Sequence, residues 1–595
     1  MKAFYSLKAS AAALLVLFAM NVNAAQIQVS GTDTDLAAAL ALANTGDELV
    51  INGFIEMSAP VTITKNVTFV GTDPIETGFE AATGVSTKFF EFTPEVIEGA
   101  KLQFLNLGFY GANNITVGDD GGVGRVLNGI TEFRNCVFDG NKTVGRGGAL
   151  YLANPATGGP AVANFIGCTI SANTAGSTGG AIFIAGDFIS SYDHCVIKEN
   201  SSPNDRGGAF FIEGNGQHRF FYSVIKSNTS GIAGALDAGE KGGAAFVTSG
   251  NAALTLESSA IVSNVAYGNH GAAFFVMGDP NITLINSTVA NNSTKAGAGG
   301  WFLATGSTGV DITLVNSFNI FNSGTNSGNA GGGFRVMNLN NRFNFFNSVV
   351  AGNTTENEGA VDMGFSATPG IANGLVIKNS IIGLISGVDA STIPAAIDKV
   401  GINPSLVNEY SLGGEAAQID WATLDQSGID WTDGLQYTSG FGMPFYTLTS
   451  ADVYSAKMGD PALLANYDLN TDLFGVQRTV TGGAIFAGPV QSVVEFAPDV
   501  LDPPTGIQTP TIQKNSTAIR VIGSVSNGIL GVDFGTLSGR AKGELISVTG
   551  QVVENVFNLN VVGKGYYNVK TSTQGVYILR VTMNGKAYTT KLILN

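Results

Sequence analysis

The feature that most constrains this fold is a repeat of about thirty residues. A hexamer with Cys or Ser first, usually an apolar residue third, and Asn last begins at residues 136, 168, 195, 223, 259, 287, 317 and 348. A decayed ninth copy, SIIGLI, begins at Ser380. Successive copies are 27–36 residues apart. A regular period of this length is typical of chains that stack one small unit on the next.

Each hexamer is followed by a Gly-rich step and a short apolar run, as in GGAIFI (179–184), and then by a segment such as NITLINS (281–287). One period therefore holds three strand-like runs separated by Gly, Asn and Ser turns. The unit has no 3.6-residue period, is shorter than a propeller blade and lacks a leucine-rich pattern. The sequence predicts an all-β chain: a right-handed parallel β-helix of about nine coils, with three strands per coil.

The last hexamer position predicts a structural ladder of buried amides. Equivalent residues of stacked coils lie about 4.8 Å apart, so each Asn can donate to one neighbour and accept from the other. The predicted ladder is Asn141, Asn173, Asn200, Asn228, Asn264, Asn292, Asn322 and Asn353. Cys136, Cys168 and Cys195 occupy the first hexamer position. We expect them to be small buried residues and not metal ligands, because no His lies at ligand spacing.

The strand after each Gly step carries an aromatic residue in its middle: Tyr151, Phe183, Phe211, Phe246, Phe275 and Phe302, followed by Arg335. The next residues are aliphatic, which suits an interior: Leu152, Ile184, Ile212, Val247, Val276, Leu303 and Val336. Since strand side chains alternate between faces, the aromatic residues are predicted to form an outward stripe that stacks on sugars or anchors a partner. The alternatives are that loops cover the stripe, or that the alternation is reversed and the rings are core.

The N-terminal residues have the pattern of an export signal. Lys2 and Lys8 precede the apolar run 11–20, and the small-residue pattern Val22–Ala24 predicts cleavage before Ala25. Ten apolar residues are too few for a bilayer span, and no later run is long enough either, so we expect no membrane-spanning helix in the mature chain. The net charge of −16 disfavours nucleic acid as a partner.

The repeat unit, with its GGA-x-aromatic step and Asn corner, resembles the repeats of polymorphic outer-membrane proteins and related pectin-lyase-like β-helices over roughly residues 100–390. Asn403-Pro404, GDPALL (459–464) and DLFGVQR (472–478) resemble a choice-of-anchor region. We therefore divide the chain into a signal peptide (1–24), a β-helix with an N-terminal cap (25–390) and a closing region (391–497). The cap is predicted to contain a helix within 34–45, which begins TDLAAALALA.

A Pro-rich linker (498–514) leads to a C-terminal unit (515–595), predicted to be a small β-sandwich. Its segments GELISVTGQVVENV (543–556) and GVYILRVTMNGKAYTTKLILN (575–595) are similar to the type IX secretion sorting domain. That resemblance implies that residues 515–595 interact with the type IX secretion machinery. It also implies export to the cell surface at the outer membrane or to the extracellular space.

The pectin-lyase-like proteins that the repeat resembles include enzymes, so the resemblance also permits a catalytic function. Carboxylates occur at Asp119-Asp120, Asp205 (beside Arg206), Asp237, Glu240 (beside Lys241), Glu356, Glu358 and Asp362. None of them forms a column at matching repeat positions, and His194, His218 and His270 occupy different ones. We therefore expect no catalytic residues, metal or cofactor. The favoured function is a non-enzymatic, adhesin-like rod that binds a polysaccharide or a host or cell-surface ligand; the alternative is a polysaccharide lyase or glycosidase.

Overall fold

The computed structural model describes residues 24–386, apart from short gaps in the loops, and residues 520–594, apart from turns between strands. Residues 25–386 form a parallel β-solenoid of about nine turns, as predicted. Three parallel sheets of 24, 12 and 9 strands surround one interior. The predicted signal peptide, closing region and linker lie outside the described residues, except that the description begins at Ala24.

A complete turn contains four short strands in three sheets, where the sequence analysis predicted three strands, because two strands of each turn lie in the same sheet. We name the four strands a, b, c and d in chain order. The a and b strands together build the 24-stranded sheet. The a strands are Gln26–Thr32, Glu48–Met57, Thr68–Val70, Leu102–Leu105, Ile130–Arg134, Val162–Ile166, Ile189–Asp193, Gln217–Phe221, Ala253–Glu257, Asn281–Ile285, Asp311–Val315, Arg342–Phe346 and Leu375–Lys378. The b strands are Gly78–Ala81, Gly108–Tyr110, Val137–Asp139, Thr169–Ser171, Val196–Lys198, Val224–Lys226, Ala260–Val262, Thr288–Ala290, Phe318–Ile320, Val349–Ala351 and Ile381–Ile382.

The other two sheets each contain one strand per turn. The c strands are Asn113–Asn114, Lys142–Thr143, Thr174–Ala175, Ser201–Ser202, Thr229–Ser230, Val265–Ala266, Ser293–Thr294, Ser323–Gly324 and Thr354–Thr355. The d strands are Val61–Ile63, Phe90–Phe92, Gly124–Val126, Leu150–Ala153, Ile182–Ala185, Phe210–Glu213, Phe246–Thr248, Phe274–Val276, Trp301–Leu303, Phe334–Val336, Met363–Phe365 and Ile385–Ser386.

The corners between strands use different backbone conformations. A residue in the left-handed region ends the a strand and another ends the b strand, for example Asn286 (φ 48°) and Asn291 (φ 54°). The corner before the d strand uses a Gly pair. Gly179 has φ 70°, and a Cβ on Gly180 would lie 2.0 Å from the carbonyl oxygen of Gly208 in the next coil. The missing side chain therefore permits both the turn and the close stacking of coils.

The amide ladder runs along the bend that follows the b strands. In each step the Asn Nδ2 donates to Oδ1 of the Asn in the next coil at 2.8–2.9 Å, and the backbone N–H donates to the same oxygen at 3.0–3.1 Å. The second Nδ2 hydrogen is donated to a carbonyl of the preceding coil, as from Asn228 to Ile197. Every ladder Asn is fully buried, so these bonds satisfy groups that water cannot reach.

At each end of the ladder another group replaces the missing Asn as a hydrogen-bond partner. At the first rung the backbone N–H of Ala112 donates to Asn141 Oδ1 at 3.0 Å. At the last rung, Asn353 donates from its backbone N–H and from Nδ2 to Asp362 Oδ1, both at 2.8 Å. Asp362, one of the carboxylates weighed for catalysis, is fully buried and completes the ladder instead.

A hydroxyl column accompanies the amide ladder at the first hexamer position. The backbone N–H of Ser223 donates to Ser259 Oγ at 3.0 Å, and equivalent bonds continue to Ser380. The three Cys residues continue this column toward the N-terminus and are buried free thiols. Burial raises the pKa of the Cys136 and Cys195 thiols, which keeps them protonated.

A helix at Asp33–Leu42 lies at the N-terminal end, close to its predicted position. Leu36 and Leu40 belong to the interior hydrophobic cluster, so the helix covers the first coil. Lys65 Nζ caps the helix C-terminus by donating to the carbonyls of Leu40 (2.8 Å) and Ala43 (2.6 Å). No helix among the described residues has the length and apolar character of a membrane span.

The C-terminal unit is a separate antiparallel sheet with its own hydrophobic cluster, which includes Leu530, Leu545 and Leu579. Glu544 accepts hydrogen bonds from Arg580, at 2.8 Å to Nη2. The strands are Arg520–Ser526, Ile529–Ser547, Val552–Asn568, Gly575–Met583 and Lys586–Leu594.

The amide ladder predicts a large cost for Asn228→Ala. The change leaves the N–H and Nδ2 of Asn200, the Ile197 carbonyl and Asn264 Oδ1 each short of a partner. We expect a loss of about 3–5 kcal/mol, measured as a lower urea midpoint by circular dichroism. The exposed Asn215, replaced by Ala, is the control and should cost less than about 1 kcal/mol. Similar midpoints for both variants would contradict a structural role for the ladder.

Candidate binding surface

The middle residues of the d strands form a column on the outside of the solenoid. Their neighbours within each strand, such as Leu150 and Leu152, belong to the interior cluster, so the middle residue points the other way. The register places the following residues one above another, and we call them the outer column: Glu91, Arg125, Tyr151, Phe183, Phe211, Val247, Phe275, Phe302 and Arg335.

The predicted membership of Phe246 in this column is wrong. Phe246 pairs with Phe210 and Phe274, is fully buried and lies in the interior core, while Val247 occupies the outer column. The Gly pair 242–243 stands one residue further from its strand than the pair 207–208, as shown by the bond from Gly208 N–H to the Gly243 carbonyl. Aligning the two pairs therefore shifts the register by one residue, which exchanges the two faces.

The aromatic residues point outward, as predicted, but the prediction of an exposed stripe is wrong. Phe211 is 8% exposed and Phe275 is 2% exposed. Cationic and aromatic side chains lie over the rings: the Arg146 guanidinium is 4.5 Å from the Phe183 ring centroid, and the His270 ring is 4.3 Å from that of Phe275. The column is thus a second hydrophobic cluster outside the core, and these rings cannot stack on a sugar.

The half-buried Tyr151 marks the place where the column changes from aromatic to charged. On the N-terminal side, Arg125 Nε donates to both Glu91 carboxylate oxygens at 2.9 and 3.0 Å. Lys88 forms ion pairs with Glu91 and, at 2.6 Å, with Asp119. Asp119 also lies 3.6 Å from Arg125. Two cations and two carboxylates therefore form one network on this face.

A second network lies beside Tyr151. Arg146 Nη2 donates to Asp120 Oδ2 at 2.8 Å, and the Arg146 backbone N–H donates to Asp120 Oδ1 at 2.9 Å. The same guanidinium lies 4.9 Å from the Tyr151 ring centroid, with Nη2 3.4 Å from the hydroxyl oxygen. Glu213 lies 4.0 Å away across two coils. We refer to Lys88, Glu91, Asp119, Asp120, Arg125, Arg146 and Tyr151 as the charged patch.

The guanidinium groups are the accessible part of the charged patch. The side chains of Arg125 and Arg146 are 32% and 38% exposed, whereas those of Glu91, Asp119 and Asp120 are 16%, 22% and 12% exposed. Hydrogen bonding to Glu91 raises the pKa of Arg125, and burial raises the pKa of the Tyr151 hydroxyl. The patch therefore presents two permanently charged cations, each held in place by a more deeply buried carboxylate.

Of the remaining carboxylates considered from the sequence, Asp205 and Asp362 lie within the described residues. Asp205 and Arg206 pair at 3.5 Å, and the Arg206 guanidinium lies 5.7 Å from the Phe275 ring centroid. Asp237, Glu240, Lys241, Glu356 and Glu358 lie outside the described residues. Within the described ranges, no group of three or more His, Cys, Asp or Glu side chains is arranged to hold a metal ion.

The three His residues lie in separate environments. His194 Nδ1 is 2.6 Å from Asp193 Oδ1, and His270 covers the outer column. His218 points into the interior, where Leu254 occupies the same position in the next coil. Its Nδ1 lies 2.9 Å from Ser190 Oγ, and burial lowers the pKa of the ring to about 4.

The interior position of His218 predicts a stability loss in mild acid. Because the native ring has a pKa of about 4 and the unfolded ring about 6.5, the unfolded state binds more protons between these values. Unfolding free energy should fall by about 3 kcal/mol as the pH drops from 6.5 to 4. His218→Leu should remove this part of the pH dependence of the urea midpoint, while the control His194→Asn should retain it. An unchanged pH profile in His218→Leu would contradict the assignment.

The sequence indicated Asp119, Asp120 and Tyr151 but not the rest of the charged patch, because Glu91 and Arg125 come from coils that precede the first hexamer. Their d strands were therefore absent from the repeat alignment, and Lys88 also precedes the first hexamer. Arg146 stands directly before its Gly pair, as Arg206 does, and this position does not indicate its partner Asp120. A search for similar proteins provides no further guidance: no protein-family model, curated protein or solved structure matches this chain.

Proposed function

We propose that the protein is an exported, non-enzymatic β-helix rod that binds an acidic polysaccharide through the charged patch. The observation that carries this proposal is the pair of partly exposed guanidinium groups beside Tyr151: Arg125 lies next to it in the neighbouring coil, and the Arg146 guanidinium lies over its ring. A guanidinium can bind a sugar carboxylate or sulfate through two parallel hydrogen bonds. The adjoining tyrosine supplies a ring edge and a hydroxyl for the neighbouring sugar.

The overall charge supports a localised contact. The chain carries a net charge of −16, so an acidic polymer is repelled by most of its surface. The three cations of the patch balance its three carboxylates, and the cations Arg125 and Arg146 are the more exposed groups. An acidic ligand is therefore expected to bind at this patch with modest affinity and to be weakened by salt.

The chemistry of the patch favours binding over bond cleavage. Glu91 raises the pKa of Arg125, so this guanidinium is held protonated and is a poor general base. Glu91, Asp119 and Asp120 are each paired with a cation of the patch. The alternative is a lyase or glycosidase of the pectin-lyase-like class. Incubation with acidic polymers, followed by a test for cleavage products, decides between binding and catalysis.

The binding proposal predicts that Arg146→Gln weakens binding of polygalacturonate about tenfold, because a charge-assisted contact is lost. Tyr151→Ala should weaken it as well. Calorimetry with the unmodified polymer and with its methyl-esterified form measures both effects. Arg219→Gln is the matched control: its side chain is 58% exposed, pairs with Glu257 and lies on the a strands.

Three outcomes would contradict the binding proposal. They are no binding of acidic polymers, equal binding of the esterified polymer, and equal losses in Arg146→Gln and Arg219→Gln. Appearance of unsaturated or shortened sugar products, tested with and without calcium, would instead establish the enzymatic alternative.

We further propose that the chain is exported by type IX secretion and is then displayed at the outer membrane or released. The support is the N-terminal pattern of Lys2, Lys8 and the apolar run 11–20, together with the C-terminal resemblance. The resembling segment 575–595 falls on the antiparallel strands Gly575–Met583 and Lys586–Leu594, and the segment 543–556 falls on Ile529–Ser547 and Val552–Asn568. A polymorphic-outer-membrane-protein-like solenoid and a choice-of-anchor-like closing region are part of the same proposal and rest on sequence resemblance.

The export proposal predicts the fate of a chain lacking residues 515–595. In a bacterium with type IX secretion, this chain should accumulate in the periplasm, because the sorting unit is missing. Cell fractionation and immunoblotting measure the distribution, and the full chain carrying Arg219→Gln is the control for normal export. Undiminished surface or extracellular signal from the truncated chain would contradict the assignment of residues 515–595.

A further inference from the structure

A group of exposed aliphatic side chains adjoins the charged patch. Ile115 is 56% exposed, Val117 is 91% exposed and Val144 is 46% exposed. Ile115 and Val144 each follow a c strand, and these two strands pair in register, so both residues occupy the same corner in neighbouring coils. We call Ile115, Val117 and Val144 the apolar rim. Scattered exposed aliphatic residues are ordinary, whereas a group of them beside a polar site marks a contact surface.

A tight turn connects Val117 to the charged patch. The backbone N–H of Asp119 donates to the carbonyl of Thr116 at 3.1 Å, so Val117 lies within the turn that ends at Asp119. The Asp119 carboxylate is 2.6 Å from Lys88 Nζ and 3.6 Å from Arg125. These ion pairs hold the end of the turn in place, while the Val117 side chain remains in solvent.

The corresponding loop of the next coil connects Val144 to the same patch. Gly145 alone separates Val144 from Arg146, whose backbone N–H donates to Asp120 Oδ1 at 2.9 Å. A Cβ on Gly145 would lie 2.7 Å from the Asp119 carbonyl oxygen, so the two loops are in close contact. A ligand that binds the Arg146 guanidinium therefore lies next to the loops that carry the apolar rim.

The solenoid itself does not require aliphatic residues at this corner. In the three coils that follow, the position after the c strand is occupied by Gly176, Pro203 and Gly231. A Cβ on Gly176 would lie 2.6 Å from the Val144 carbonyl oxygen, so there the corner is too close to the preceding coil for a side chain. Ile115 and Val144 thus stand in the two coils that supply the loops of the charged patch, where their exposed surface is available to a ligand.

We propose that the apolar rim binds O-acetyl groups of the acidic polysaccharide whose carboxylates bind the charged patch. This inference rests on the binding function proposed above and specifies its ligand. An O-acetyl group adds a methyl group to a sugar and leaves the carboxylate charged, so one polymer is complementary to both surfaces. Ligand sites commonly combine such apolar contacts with a few placed polar groups. Covering Val117 removes its apolar area from water, which favours the acetylated polymer over the unmodified one.

Two forms of one polymer test the apolar rim. Polygalacturonate and the same polymer after partial chemical O-acetylation share a backbone and differ in acetyl content. Calorimetry with the full mature chain should show about fivefold tighter binding of the acetylated form. Val117→Ser should reduce this preference to about twofold or less, because the contact with the methyl group is lost. Arg146→Gln should weaken both forms by a similar factor and so preserve the preference.

Ile189→Ser is the matched control for the loss of an exposed aliphatic side chain. Ile189 is 39% exposed and begins an a strand, in a different sheet from the d strands of the charged patch. This variant should retain the fivefold preference. Circular dichroism of both Ser variants verifies that the solenoid stays folded.

The outcomes distinguish the apolar rim from the charged patch. No binding of either polymer would overturn the proposed function and this inference together. Equal affinity for the two polymers, or an unchanged preference in Val117→Ser, would overturn the role of the rim while the charged patch remains a binding site. An equal loss of preference in Val117→Ser and Ile189→Ser would also overturn it.

Discussion

The hydrogen bonding between buried amides along the axis is the interaction on which the rest of the structure depends. A coil of about thirty residues has little core of its own, and it becomes stable only when a neighbour covers it. From Asn173 to Asn353, each ladder Asn uses both Nδ2 hydrogens and accepts twice on Oδ1, as Asn228 does with Asn200, Asn264 and Ile197. A slip of one residue would leave several buried groups unsatisfied at once. The ladder therefore specifies register as well as stability.

The repeat made most of this architecture predictable, because a period that recurs in the sequence must recur in space. The same logic failed where the period was uneven. Phe246 was assigned to the wrong face because its Gly pair stands one residue further from the strand. Since strand side chains alternate between the two faces, an alignment error of one residue places a side chain on the opposite face. Coverage of the outer column was also beyond reach, because it depends on distant side chains such as Arg206 and Met277, which are 71 residues apart in sequence.

The candidate site was the least predictable part, and the reason is physical. The residue types in the interior are restricted by packing against all their neighbours. They therefore recur from coil to coil and can be recognised in a single sequence. Outward residues are constrained only where something covers or binds them. Glu91 and Arg125 occupy the same outward position as Phe183 and Phe211, yet their chemistry is different. A site on a solenoid is thus a place where the residue type changes within an outward column. It can be identified only when the register that aligns the column is known.

The outward columns consequently divide the rod into surfaces with separate roles. The d strands carry a charged N-terminal end and an aromatic length that Arg146, Arg206 and His270 cover, so the charged end is more accessible than the rings. On the b strands one outward column changes from Lys198 and Lys226 to Val262 and Ala290 in the later coils. In both cases the stacking brings equivalent positions into one column, so a change of residue type at one coil marks a boundary on the surface. Since those boundaries are set by single substitutions at fixed positions, a solenoid can gain or lose a binding surface without any change to its core.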